Sequence, residues 1–86
     1  MSKWEKPVLY LNDGVDRKRI RYLMRMRGDK ITDIATALGK DPSCISSKLN
    51  GRAPFMASDI DKLKKHFGLS TAEAAEIFFG NWKAAN

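Results

Sequence analysis

The chain has 86 residues, of which 43% are hydrophobic, which suits one small folded domain and excludes a disordered chain. Its single cysteine, Cys44, excludes an internal disulfide framework. Because the sequence has no paired Cys and His clusters, we predict that the protein has no metal site and no cofactor. No signal peptide or bilayer-spanning apolar run is recognisable, so we expect a cytoplasmic protein without membrane contact.

The basic residues are concentrated in one part of the chain. The whole chain has sixteen Lys and Arg against ten Asp and Glu, a net charge of +6. Residues 17–52 hold ten of the basic and three of the acidic residues, so this segment carries +7 and the remainder −1. Such asymmetry indicates a polyanionic partner, with nucleic acid the leading candidate. The alternative is a basic surface that only faces solvent.

The chain divides into an arm, a helical domain and a tail. Residues 1–12 are predicted to form an extended N-terminal arm that can include a short strand, because Pro7 opposes a helix through this apolar segment. Residues 13–79 are predicted to form the domain, and residues 80–86 a C-terminal tail. Nothing in residues 13–79 indicates a strand, so the expected fold class is all-α, a compact domain of five short helices.

Apolar stripes mark the first two helices. Helix 1 can begin at Asp13 or Asp16, and it ends at Gly28. Its arginines are interpreted as a basic face in solvent, and the alternative is that some of them contact phosphate. Helix 2 spans about residues 30–38, and Gly39 ends it because glycine adopts the left-handed conformation without steric cost. The inward residues, at i, i+3 and i+4 spacings, are Ile20, Leu23 and Met24 in helix 1 and Ile31, Ile34, Ala35 and Leu38 in helix 2.

Helix 3 is predicted over about residues 41–50. Asp41 can cap it, and Pro42 suits the first helical position, where no backbone N–H is needed. Gly51 stops it. Its inward residues are Ile45 and Leu49.

The last two helices are predicted over about residues 57–67 and from Ser70 onward, where Ser70 and Glu73 form a capping box. Their inward residues are Ile60, Leu63, Phe67, Ala74, Ile77 and Phe78. Phe79 and Trp82 lie off this stripe. Because exposed aromatic residues at a chain end often mark an association surface, we predict that these two form a homodimer interface. Alternatively, they fold back onto the domain.

Helix 2, the turn and helix 3 form the most informative unit. Two short helices separated by about three residues, with glycine in the turn, cross at a steep angle, and the small Ala35 lets them approach closely. The outward residues of helix 3 are Pro42, Ser43, Ser46 and Ser47. Small polar side chains on an exposed helix suit entry into the DNA major groove, where hydroxyls can bond base edges.

The same unit resembles a known family. Its residues read Ile34-Ala35-x-x-Leu38-Gly39, then Ile45, then Asn50-Gly51, and downstream Pro54-Phe55 and Phe67-Gly68-Leu69-Ser70. This pattern, over about residues 17–79, resembles the Cro/repressor-type (XRE-like) helix-turn-helix of phage and bacterial transcriptional regulators. The resemblance implies a lambda-repressor-like five-helix domain that binds double-stranded DNA.

The resemblance also implies which residues contact DNA. The residues implied to face bases are Pro42, Ser43, Ser46 and Ser47. The residues implied to contact phosphate, and so to position the protein without specifying sequence, are Lys30, Thr32, Lys40, Asn50 and Arg52. Two positions depart from the family pattern. Lys48 stands where an apolar residue is usual, with Leu49 expected to take over its packing, and Pro42 has no side-chain donor.

The expected function is that of a sequence-specific transcriptional regulator, a phage or prophage repressor or Cro-like protein that binds operator DNA as a homodimer at the nucleoid. A rival interpretation is an antirepressor-like module that keeps the fold and binds another regulator protein. The serines of helix 3 leave this rival interpretation open, because a serine hydroxyl discriminates between bases less well than a side chain that makes two hydrogen bonds to one base. We do not expect an enzyme, since the single histidine, His66, has no nucleophile in a recognisable pattern near it.

Overall fold

The computed structural model describes residues 10–11 and 14–80. In chain order the elements are β1 (Tyr10–Leu11), α1 (Arg17–Arg27), α2 (Ile31–Leu38), α3 (Pro42–Leu49), β2 (Phe55–Met56), α4 (Ala57–Phe67) and α5 (Thr71–Phe79). The prediction of a mostly helical domain with five helices is confirmed. No helix in the described part of the chain has the length and apolarity that a membrane span needs. Of the predicted arm, residues 1–9 and 12 lie outside the described residues, as do Asp13 and residues 81–86 of the predicted tail, which include Trp82.

Local capping sets the start of the first two helices. Asp16, one of the two predicted caps, is the N-cap of α1, and its Oδ1 accepts a hydrogen bond from the Arg19 N–H at 3.0 Å. At the start of α2, Asp33 Oδ2 accepts from the Lys30 N–H at 2.7 Å. Both carboxylates satisfy backbone donors that have no partner within the helix.

One strand lies where none was predicted. β2 pairs antiparallel with β1, with Tyr10 opposite Met56 and Leu11 opposite Phe55. The expectation of no strand in residues 13–79 was therefore wrong, whereas a short strand in the N-terminal arm is confirmed. A two-residue strand is too short to show alternation of apolar and polar residues, which is the signal that reveals strands in a sequence.

The core lies where the helical stripes predicted it. Its buried apolar residues are Val15, Ile20, Met24, Ile34, Ala35, Leu38, Ile45, Leu49, Phe55, Leu63, Ile77 and Phe78. The half-buried residues that pack against it include Leu23, Ile31, Ile60, Phe67 and Phe79. The rings of Phe55 and Phe78 meet edge to face, with centroids 5.6 Å apart. The stripes of all five helices therefore converge on one core, which β2 joins through Phe55.

Polar contacts join elements that are distant in the chain. The Asp16 N–H donates to the Ile77 carbonyl at 2.8 Å, which joins the start of α1 to α5. His66 Nε2 lies 2.9 Å from Asp29 Oδ2, which joins α4 to the turn after α1. The single histidine therefore has a structural contact between helices.

Candidate nucleic-acid interface

Residues 39–41 form a tight turn between α2 and α3. Gly39 adopts φ 68° and ψ 35°, the left-handed region that side chains disfavour. Its N–H donates to the Thr36 carbonyl at 3.2 Å, and the Lys40 N–H donates to the Ala35 carbonyl at 2.9 Å. The predicted role of Gly39 is confirmed. The turn satisfies the last carbonyls of α2 and redirects the chain into α3.

The start of α3 departs from the prediction in one respect. Pro42 occupies the first turn, as predicted, and Asp41 occupies the N-cap position. However, the Asp41 side chain makes no capping hydrogen bond. Its carbonyl accepts from the N–H groups of Cys44 at 3.0 Å and Ile45 at 3.2 Å. The helix therefore begins on backbone bonds and on the fixed φ of proline.

The four predicted base-contacting residues lie on α3 with different exposure. Pro42 and Ser43 are exposed, whereas Ser46 and Ser47 are half-buried. All four were predicted to face outward, and Ser46 and Ser47 do so only in part. The chain after α3 bonds back to the second half of this helix: the Ser47 carbonyl accepts from the Arg52 N–H at 2.9 Å and from the Ala53 N–H at 3.2 Å. The N-terminal part of α3 is therefore the part most open to a partner.

Four of the five predicted phosphate-contacting residues lie near the two ends of α3, and the fifth, Lys30, is the N-cap residue of α2. Lys40 is half-buried, and the other four are exposed: Lys30, Thr32, Asn50 and Arg52. Thr32 and Lys40 share a groove of about 560 Å³ with Pro42, between α2 and the start of α3. Asn50 and Arg52 follow the C-terminal end of α3. Thr32 and Lys40 therefore lie beside the exposed start of α3, whereas Asn50 and Arg52 lie beyond its other end.

Two arginines of α1 hold the C-terminal end of α3. Arg17 Nε donates to the Lys48 carbonyl at 2.6 Å, and Arg21 Nη2 donates to the Leu49 carbonyl at 3.1 Å and to Asn50 Oδ1 at 2.9 Å. These bonds satisfy carbonyls that lack a partner within the helix and place positive charge at its negative end. The helix 1 arginines were predicted to form a basic face in solvent. Arg21 is exposed as predicted, but both arginines also bond the end of α3, which the prediction did not include. Their i, i+4 spacing on one face was the available signal.

Lys48 is buried, with 4% of its surface exposed. Its Nζ lies 2.8 Å from Asp59 Oδ2 and 2.8 Å from the Pro54 carbonyl oxygen. Leu49 is buried as well, as expected. Asp59, in the first turn of α4, is fully buried, and sequence reasoning missed it. A lysine and an aspartate eleven positions apart on different helices carry no periodic signal. Lys48 therefore does not belong to the exposed basic surface.

Phe79, one of the two predicted dimer contacts, is half-buried and packs against the core. Only part of its ring is available to a partner, and the homodimer stays a prediction.

The surface around α3 presents hydroxyls and cations. Serine and threonine hydroxyls both donate and accept hydrogen bonds, and lysine and arginine carry permanent charge at neutral pH. Together such groups can bind a polyanion by ion pairs and hydrogen bonds. Compared with protein-family models, with curated proteins and with solved structures, the chain matches none of them.

Proposed function

We propose that this protein is a sequence-specific DNA-binding transcriptional regulator, a repressor or Cro-like protein of a phage or prophage. In this proposal α2 and α3 form a helix-turn-helix, and α3 enters the major groove. The observation that carries the proposal is the start of α3, where Pro42 and Ser43 are exposed beside a groove that contains Lys40. A single α-helix has the width that the major groove admits, and short side chains let it approach the base edges.

The described cations predict how strongly binding depends on salt. Lys48 is neutralised by Asp59 in the interior, and Arg21 bonds the end of α3, so neither is counted as a phosphate contact. Three of the proposed phosphate-contacting residues are cations: Lys30, Lys40 and Arg52. Three neutralised phosphates give a slope of log K against log salt of about −3 for each protein copy.

Selection from a random duplex library, followed by titrations at several salt concentrations, tests the proposal. We expect a recurrent sequence motif and the salt slope given above. Ser43→Ala removes one hydroxyl from the exposed start of α3, so it should weaken the selected site about fivefold and leave random DNA unaffected. Arg52→Ala should weaken both DNAs alike, because a phosphate contact carries no sequence information.

Lys65→Ala is the matched control for charge removal. The Lys65 side chain is 77% exposed and pairs with Asp61 on α4. Because Lys65 is not one of the proposed DNA contacts, DNA affinity should change little. Absence of binding at 50 mM salt, or binding that ignores salt, would contradict the proposal. It would favour the antirepressor-like function, to be tested against another regulator protein.

We also propose that the protein binds its site as a homodimer. One short helix reads only a few base pairs, and a two-fold dimer doubles the readout on half-sites about 34 Å apart. Sedimentation of the wild type and of Trp82→Ser tests this, because Trp82 lies off the apolar stripe predicted for the last helix. A selected motif without two-fold symmetry, together with a monomeric wild type, would refute the dimer while leaving DNA binding intact.

A further inference from the structure

Asp59 connects three parts of the molecule. Its Oδ2 accepts from the Met56 N–H at 2.9 Å, at the start of α4, and lies 2.8 Å from Lys48 Nζ on α3. Its Oδ1 lies 3.8 Å from Lys40 Nζ, in the turn between α2 and α3. One carboxylate thus contacts both ends of the segment that the proposed function places against DNA.

The charges of this cluster are arranged asymmetrically. Asp59 is fully buried and Lys48 nearly so, whereas the Lys40 side chain is 29% exposed. Oδ1 has no hydrogen-bond partner among the described residues, since 3.8 Å to Lys40 is an ion-pair distance and too long for a hydrogen bond. Two lysines and one aspartate leave a net charge of +1. Its exposed part is Lys40, in the groove beside Pro42.

Stability alone does not explain a buried pair at this position. Replacing a buried ion pair by neutral side chains of similar volume is often neutral or stabilising, since the desolvation of both charges offsets their attraction. A pair that contributes little net stability can still select one arrangement of the helices, because other arrangements leave a charge buried without its partner. Lys48 Nζ also donates to the Pro54 carbonyl, so its ammonium has one partner in the connection between α3 and α4 and another, Asp59, in α4.

We propose that Lys48 and Asp59 are positioning residues of the DNA-binding surface. The pair fixes the orientation of α3 against the start of α4, and Asp59 holds the Lys40 ammonium at the groove. DNA recognition therefore depends on a carboxylate that never meets the DNA. This inference rests on the proposed function, and it adds a requirement that is measurable without DNA.

The test is the neutral double variant Lys48→Met/Asp59→Asn. It removes one positive and one negative charge, so the net charge of the protein and of the cluster is unchanged. The asparagine oxygen can still accept from the Met56 N–H. We expect a melting temperature close to that of the wild type, together with about tenfold faster amide hydrogen exchange in α3 relative to α1 and α5. The affinity ratio between the selected DNA and random DNA should fall about tenfold at an unchanged salt slope.

Two further variants sharpen the test. Lys48→Gln/Asp59→Asn is also neutral, but its glutamine amide can donate across the same gap, so it should recover part of the lost exchange protection and DNA selectivity. Lys65→Met/Asp61→Asn neutralises an exposed i, i+4 pair on α4 and should change neither quantity.

The outcomes separate this inference from the proposed function. Unchanged exchange in α3, or unchanged DNA selectivity despite faster exchange, would overturn the positioning role. Failure of both neutral variants to fold would overturn it too, because the pair would then be needed for the fold itself. A wild type that binds no DNA would refute the proposed function alone, and the exchange of α3 would still decide whether the pair positions that helix.

Discussion

Helices α3 and α5 have nearly the same length, eight and nine residues, yet different parts of the chain stabilise them. In α5, Ser70 Oγ accepts from the Glu73 N–H at 3.1 Å, and Glu73 Oε1 accepts from the Ser70 N–H at 2.9 Å. The helix therefore begins with a capping box whose two partners are three residues apart. In α3, the N-cap residue Asp41 makes no such side-chain bond.

The contacts of α3 come instead from elsewhere in the chain. Arg17 and Arg21 of α1 bond its last carbonyls, and Asp59 of α4 pairs with Lys48. The start of α5 is therefore specified by adjacent residues, whereas the placement of α3 depends on tertiary contacts. Variants at the contacts of the two helices test this difference.

The largest effect is expected from Lys48→Ala in α3. It leaves the Asp59 carboxylate buried without its main partner, which costs about 3–5 kcal/mol of unfolding free energy. Lys65→Ala, at an exposed ion pair, should cost less than about 1 kcal/mol. Urea denaturation of both variants measures the difference. A similar small loss for both would show that the buried pair does not hold α3.

Core truncation should affect the two helices alike. Leu49 in α3 is 4% exposed and Ile77 in α5 is 1% exposed, and both pack in the same core. Leu49→Ala and Ile77→Ala should each cost about 2–5 kcal/mol, from lost burial and the cavity left behind. Thermal unfolding followed by circular dichroism gives the values. A negligible loss of unfolding free energy for Leu49→Ala would mean that Leu49 of α3 does not pack in the core.

The N-caps should respond differently. Ser70→Ala removes a hydroxyl that accepts a backbone N–H and should lower the unfolding free energy by about 1 kcal/mol. Asp41→Ala removes a side chain that makes no capping bond, so its effect should stay within about 0.5 kcal/mol. Chemical denaturation of the two variants side by side tests this. Equal losses would show that Asp41 caps α3 in solution.

The smallest effect concerns pH. The Ser70 backbone N–H, followed by its hydroxyl, lowers the pKa of Glu73 below its ordinary value of 4.5, because both bonds favour the carboxylate. Since the folded pKa lies below the unfolded one, this contribution is present above pH 4.5 and is lost as the pH falls through the folded value. Glu73→Gln should therefore lower the melting temperature slightly at pH 7 and by less at pH 3. Melting curves that differ equally at both pH values would contradict this origin.

Local patterns in the sequence were enough to locate the helices and their inward faces. The period of Ile34, Ala35 and Leu38 predicted the buried face of α2, Gly39 its end, and the Ser70–Glu73 spacing the start of α5. Each of these signals lies within one or two helical turns. The free energy behind each, a buried stripe or a satisfied backbone group, arises from residues close together in the chain.

Sequence patterns were sufficient to predict five helices, the residues of the core and the exposed Pro42 and Ser43 at the start of α3. Three features could be seen only in the folded chain: Lys48 is buried against Asp59, Arg17 and Arg21 bond the end of α3, and β2 joins the core through Phe55. The physical reason is that a charge is stabilised by whatever partner the fold brings within a few ångströms. A lysine in a basic segment therefore looks the same in the sequence whether it meets solvent, DNA or a buried carboxylate.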